Sequence, residues 1–168
     1  MKLQEIDKVR YRKHLNRLIL ICIAALIVLS LTISSSMIYL VNDGETSHFW
    51  INLAGVIIAA LLIGFLLSKY RKHPFMHEVI YVWDLKQVLN LIHRRNKKLE
   101  LAVEQNDVTA MQIMYFYYKA CHQLYTLDDN TITLSSLNQK TNKLDTQIES
   151  LNLTITADDF APDTLTKY

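Results

Sequence analysis

Apolar residues are spread unevenly along this chain. Residues 18–41 and 49–68 contain no Asp, Glu, Lys or Arg, whereas the segments around them are strongly polar. A bilayer core of roughly 30 Å is crossed by about 20 helical residues, and both uncharged blocks reach that length. The first holds 14 Leu, Ile or Val residues and the second 12 Leu, Ile, Val or Phe. At about −0.3 to −0.6 kcal/mol each near the bilayer centre, such residues favour insertion of either block by several kcal/mol. Buried helices of soluble domains seldom run so far without a charge. Two transmembrane helices are therefore expected. Ser34 and Ser36 would suit a signal-peptide cleavage site, but 17 residues precede the block, and its apolar stretch exceeds the usual run of about 7–15. A retained signal-anchor is the better reading.

Beyond residue 69 the pattern becomes that of amphipathic helices. Pro74 suits the first turn of a helix, where its missing N–H is not needed. Val82, Leu85, Leu89, Ile92, Asn96, Leu99 and Val103 then recur at alternating steps of three and four. That spacing predicts one helical face running to Val103, with Asn96 as its only polar member. Gln105-Asn106-Asp107 breaks the pattern and offers an N-cap. A second helix, over residues 108–127, is apolar around so much of its circumference that it must lie buried between neighbours. Its Tyr and Phe residues could stack nucleobases, yet only Lys119 accompanies them, so core packing is expected and nucleic acid is not. After the turn Asp128-Asp129-Asn130, a third helix is expected over residues 131–152. Leu134, Leu137, Thr141, Leu144, Ile148, Leu151 and Ile155 form a narrow stripe along it. This is either a coiled-coil seam or the third wall of a bundle, with Lys140 and Asp145 as the flanking charge pair. Packing onto the aromatic helix is slightly favoured, since that helix needs cover. Residues 153–168 are expected to form a loose acidic tail.

Charge gives the apolar pair a direction. Lys2, Lys8, Arg10, Arg12, Lys13 and Arg17 precede the first block, and Lys69, Arg71 and Lys72 follow the second. Residues 42–48 between them carry Asp43 and Glu45 but no Lys or Arg. By the positive-inside rule both termini should be cytoplasmic. Tyr39 and Trp50 would sit at the outer interface and Tyr70 at the inner one. The plan is an all-α membrane protein: a basic segment at 1–17, spans at 18–41 and 49–68 forming a two-helix transmembrane hairpin, a short outer loop at 42–48, and a cytoplasmic helical bundle of about three helices over 69–152. A loop so short leaves no room for an extracytoplasmic solute pocket of a few hundred Å³. Residues 1–100 carry 14 basic and 7 acidic side chains and residues 101–168 carry 4 and 9, so the positive half is the membrane-proximal one. Arg94, Arg95, Lys97 and Lys98 extend it and could touch anionic lipid headgroups. A solvated helix face is the simpler account of them.

Candidate chemistry changes the picture little. The three glycines are too far apart for a GxGxxG or GxxxxGK[ST] phosphate cradle. No ionisable residue besides Cys22 and the tyrosines lies within either span, which argues against a proton relay or ion pathway. His73, His77 and Glu78 superficially suggest zinc, but Pro74 sets His73 at the cap and no third ligand is marked. His122 follows Cys121 directly, and adjacent helical positions do not converge as a nucleophile pair must; a buried, hydrogen-bonded histidine is expected. Asp128/Asp129 and Asp158/Asp159 are explained by turns and caps. No catalytic set, cofactor or metal site emerges.

Association is the remaining theme. Gly55-x-x-x-Ala59 and Ala60-x-x-x-Gly64 space small residues so that two helix backbones can approach in lipid. The opening Met1-Lys2-Leu3-Gln4-Glu5-Ile6-Asp7-Lys8-Val9-Arg10-Tyr11-Arg12-Lys13-His14, with the apolar pair and the aromatic helix, resembles a small uncharacterised bacterial family. Its members are two-span inner-membrane proteins classed as a domain of unknown function. The resemblance covers most of the chain and implies the bacterial inner membrane, but it supplies no activity and no functional residues. The expectation is a non-enzymatic protein of the bilayer whose bundle docks a second copy or an unidentified protein. Two alternatives are a membrane-anchored enzyme using His77, Glu78, Asp84 and His122, and an accessory subunit of a larger transporter.

Overall fold

The computed structural model describes residues 2–41, 48–130 and 132–168. The loop expected at 42–48 therefore lies, His48 aside, outside the described residues. Among those residues the chain is helical and has no strand. Its helices are α1 (Lys8–Val41), α2 (Phe49–Lys69), α3 (His77–His93), α4 (Asn96–Glu104), α5 (Val108–Leu127) and α6 (Leu134–Ser150). Three 3-10 turns, Pro74–Met76, Ala157–Asp159 and Pro162–Lys167, complete it. The chain divides into two compact units, Val9–Ile80 and Met1–Lys8 with Tyr81–Tyr168.

The first unit holds α1 and α2. The helix α1 begins at Lys8, well ahead of the uncharged block, because the Arg, Lys and Leu residues there are good helix formers. Only 6% and 11% of the residues in the most apolar windows of α1 and α2 are buried. What is buried is small. Gly55 and Ala59 of α2 and Ser34 of α1 are covered, and a Cβ added at Gly55 would lie 3.2 Å from the Ser34 nitrogen and 3.3 Å from the Ser30 carbonyl oxygen. The backbones meet at that point, as small residues permit. Ala60 is exposed, and nothing crowds Gly64. The hydroxyls of Thr32 and Ser36 donate back to the carbonyls of Val28 and Thr32 in their own helix, at 2.8 and 2.7 Å, which spares them an unpaired existence in an apolar setting.

The second unit is built around α5, on which α4, α6 and the turn Ala157–Asp159 pack. Met111, Ile113, Met114 and Phe116 are essentially inaccessible. The cap expected at Asp107 forms: its carboxylate accepts from the Thr109 and Ala110 amides at 2.8 and 3.2 Å. Leu137, Leu144 and Ile148 of α6 are buried, Leu134 is half-buried and Leu151 exposed, and α6 lies against α5. Lys140 pairs with Glu100 at 3.2 Å rather than with Asp145.

Two expectations are corrected. The stripe from Val82 to Val103 is not one helix: it breaks at Arg94–Arg95, where the Arg95 amide turns back to the Ile92 carbonyl at 2.9 Å. The break leaves Ile92 and Leu99 fully buried on either side, and no Gly or Pro marks it. Residues 153–168 are not loose. Phe160 stacks on Phe116 with centroids 4.2 Å apart, and Leu165 is only 1% exposed. The acidic composition concealed these two anchors. Residues 2–8 of the basic N-terminal segment also belong to this unit, with Lys2 paired to Asp158 at 3.1 Å and Lys8 to Asp129. The Gln4 amide donates to the Tyr81 hydroxyl at 2.9 Å.

Candidate functional site

Side chains of different segments converge most clearly where α1 begins, α2 ends and α3 starts. Pro74 occupies the first position of its turn as expected, with His73 as the cap, the imidazole Nδ1 accepting from the Phe75 amide at 3.2 Å. The turn carries the chain to Glu78, whose side chain is buried. Its two oxygens take Arg10 Nε at 2.7 Å and His14 Nδ1 at 3.0 Å. Burial pushes the Glu78 carboxyl up, but its own backbone amide, His14 and the Arg10 guanidinium together outweigh it and hold the group below the usual carboxylate range. An ionised carboxylate only accepts, so His14 donates through Nδ1. The His14 ring also lies 4.4 Å from that of Phe75.

Beside this triad opens a cleft of about 360 Å³. Leu18, Ile21, Cys22 and Ala25 of α1 line one wall and Ile63, Leu66 and Leu67 of α2 the other, with Tyr70, His73, Phe75 and Met76 closing the end. Its surface is almost wholly apolar. Early α1 faces late α2 here, while Ser34 faces Gly55, so the two helices run antiparallel.

The second unit carries a contrasting feature. Arg94, Arg95, Lys97 and Lys98, singled out as lipid contacts, line a shallow concavity of about 430 Å³ with His93, Asn96 and Tyr168. Arg95 is half-buried and donates to the Leu91 carbonyl at 3.3 Å. Adjoining it through His93 and Asn96 is a tyrosine cluster in which the Tyr117 hydroxyl stands 3.2 Å from His93 Nδ1. Burial pushes the Cys121 thiol up to about 11 despite hydrogen bonds from Tyr117 and Tyr125. It is therefore a protonated core group rather than a nucleophile.

His122, expected to be buried, is exposed on the outer side of α5. His77 is exposed, Asp84 half-buried, and Glu78 engaged by Arg10 and His14. Among the described residues, no group of three or more His, Cys, Asp or Glu is gathered to hold a metal. The Glu78 triad escaped sequence reading because Arg10 and His14 lie more than sixty positions away. The one available signal was an acidic residue at the start of a helix in an otherwise basic region.

These features define an all-helical protein with two helices long and apolar enough to cross a membrane. The chain belongs to the family described as Protein of unknown function (DUF3087), whose model matches residues 1–165. Neither a curated protein nor a solved structure matches it.

Proposed function

We propose that this is a non-enzymatic integral protein of the bacterial inner membrane. On this reading α1 and α2 cross the bilayer as a hairpin, and both termini are cytoplasmic. The helical unit serves as a docking module for a second copy or another protein. One observation carries the membrane reading. The apolar helices are little buried by the chain itself, with only 6% and 11% of the residues in their most apolar windows buried. A soluble core helix would be covered, and a patch of this size in water would be an association hazard; lipid removes the conflict. Nine basic residues flank the pair on one side and none on the other, which favours cytoplasmic termini.

Support for docking is of a different kind. The α6 stripe is spent inside the unit, so it does not offer a coiled-coil seam. Trp83, by contrast, is 60% exposed on α3, and exposed tryptophans are frequent anchors of interfaces. Ala60 and Gly64 remain open on α2. The test joins membrane fractionation with a reporter at Tyr168 and gentle-detergent capture of wild type beside Trp83→Ala. Expected are a carbonate-resistant membrane fraction, a cytoplasmic reporter and a partner or second copy lost from the variant. A chain recovered in the soluble fraction would end the membrane reading.

A further inference from the structure

We propose that the cavity framed by α4, α5 and α6 binds a small zwitterion, an α-amino acid with an apolar side chain. The site lies wholly within the helical unit, so the inference does not depend on whether α1 and α2 cross a bilayer. Both α4 and α6 pack on α5, and a cavity of about 280 Å³ lies between them with α5 as its floor. Two clasps bridge its walls. Lys140 of α6 pairs with Glu100 of α4 at 3.2 Å, and the Gln147 side-chain amide donates to the Val103 carbonyl at 2.7 Å. The helices α4 and α6 therefore run the same way, and Lys143 falls between the clasps along α6. The volume is just under the range of roughly 300–1,000 Å³ that holds drug-sized ligands, which suits a smaller molecule of amino-acid size.

The lining decides the ligand class. Met114 and Leu144, both buried, give the cavity an apolar surface. Set into it is one polar group without a match. Tyr118 is only 7% exposed, and among the described residues its hydroxyl has no hydrogen-bond partner. A phenol placed so deeply is costly unless something bonds to it. The hydroxyl is not sealed off, and Tyr118 lines the cavity. Burial and the nearby Glu100 carboxylate push the phenol up to about 12, so it keeps its proton and can donate. The two walls differ in sign, with Glu100 and Glu104 on α4 and Lys140 and Lys143 on α6. The cavity is thus neutral in sum but polarised across its width. Such a field favours a dipole lying along it and gives little net attraction to a lone anion or cation. An amino acid matches it, its ammonium toward Glu104 and its carboxylate toward Lys143 and the Tyr118 hydroxyl. The side chain then rests on Met114 and Leu144.

The test is calorimetric titration of the full chain in detergent with L-valine, L-leucine and L-methionine, followed by two derivatives of whichever binds best. At least one amino acid should bind saturably, one molecule per chain. Its N-acetyl form, which lacks the ammonium, and its methyl ester, which lacks the carboxylate, should each bind about tenfold more weakly or worse, as loss of a charge-assisted hydrogen bond implies. That comparison needs no variant. Tyr118→Phe keeps the ring and should weaken the amino acid by about two- to tenfold. Glu104→Gln and Lys143→Gln, at exposed positions where the fold tolerates change, should each weaken it by about tenfold. Failure of all three amino acids to bind would overturn the proposal. So would a derivative that binds as tightly as its parent, or wild-type affinity in any of the three variants. Either result leaves the membrane reading standing, since fractionation tests that separately.

Discussion

Glu78 is the residue whose neighbours matter most to its state. A buried carboxylate without partners would be expensive; Arg10 and His14 make it tolerable, although Arg10 is itself 60% exposed and solvent weakens its share. Glu78→Gln removes the carboxylate that accepts from Arg10 and His14, and an expected loss of about 1–3 kcal/mol follows from charge-assisted hydrogen bonds of this kind. Because the folded carboxyl titrates below its ordinary value of 4.5, the stability it contributes is complete above that pH and disappears as pH falls through the folded value. Thermal melts in detergent should show wild type weakening below about pH 4.5, with Glu78→Gln weaker throughout and less acid-sensitive. Asn152 poses a backbone problem instead. It follows α6 with φ of 53°, and its amide and that of Leu153 return to Glu149 and Ile148 at 3.0 and 3.1 Å, the Schellman arrangement. Asn152→Ala should cost about 1 kcal/mol and Asn152→Gly none, measured by denaturant unfolding. Asn106, φ 62°, closes α4 in the same way.

At the scale of elements, the two small-residue spacings of α2 separate. Gly55-x-x-x-Ala59 is used within the chain against α1, whereas Ala60-x-x-x-Gly64 faces outward. Gly55→Ala drives a methyl into the Ser34 hydroxyl and against α1 backbone. The expected cost is about 1–3 kcal/mol, partly restored by Ser34→Ala. Gly64→Ala meets nothing within 4 Å and should leave stability unchanged; proteolytic susceptibility in detergent would distinguish the two. The end of α1 at Val41, the bounds of α2 and α5 and the Asp107 cap were legible because each is a local matter of hydropathy, apolar circumference or cap chemistry. The break between α3 and α4 was not, since a stripe of alternating threes and fours is equally satisfied by two shorter helices that bury Ile92 and Leu99 on a common core.

Across the whole molecule, each compact unit uses charge differently. In the helical unit the acidic surplus is partly neutralised by pairs with Lys2, Lys8, Lys86 and Lys140. The C-terminal residues are held by the apolar anchors Phe160 and Leu165 beside the exposed Lys2–Asp158 pair. Leu165→Ala should therefore destabilise the protein by about 2–5 kcal/mol and release the tail to proteases, which a truly loose tail would not require. Alkali should act on the same core. Folding keeps the proton on Cys121 to about 11 against an ordinary 9, so its contribution is complete below pH 9 and is lost as pH rises toward 11. Alkylation of Cys121 at pH 8 should be slow in the folded protein and fast once it is denatured.

Hydropathy and charge order by themselves determined that two stretches suit a bilayer and which flanks are basic, because insertion depends on composition summed along a segment. They determined likewise that α5 must be surrounded, since a helix apolar on most sides has no face to give to water. Only the tertiary structure decided that α6 is the wall covering it, that the acidic tail is anchored by Phe160 and Leu165, and that Glu78 meets Arg10 and His14. Those outcomes rest on which distant side chains arrive within a few ångströms of one another, and spacing along the chain carries no record of that.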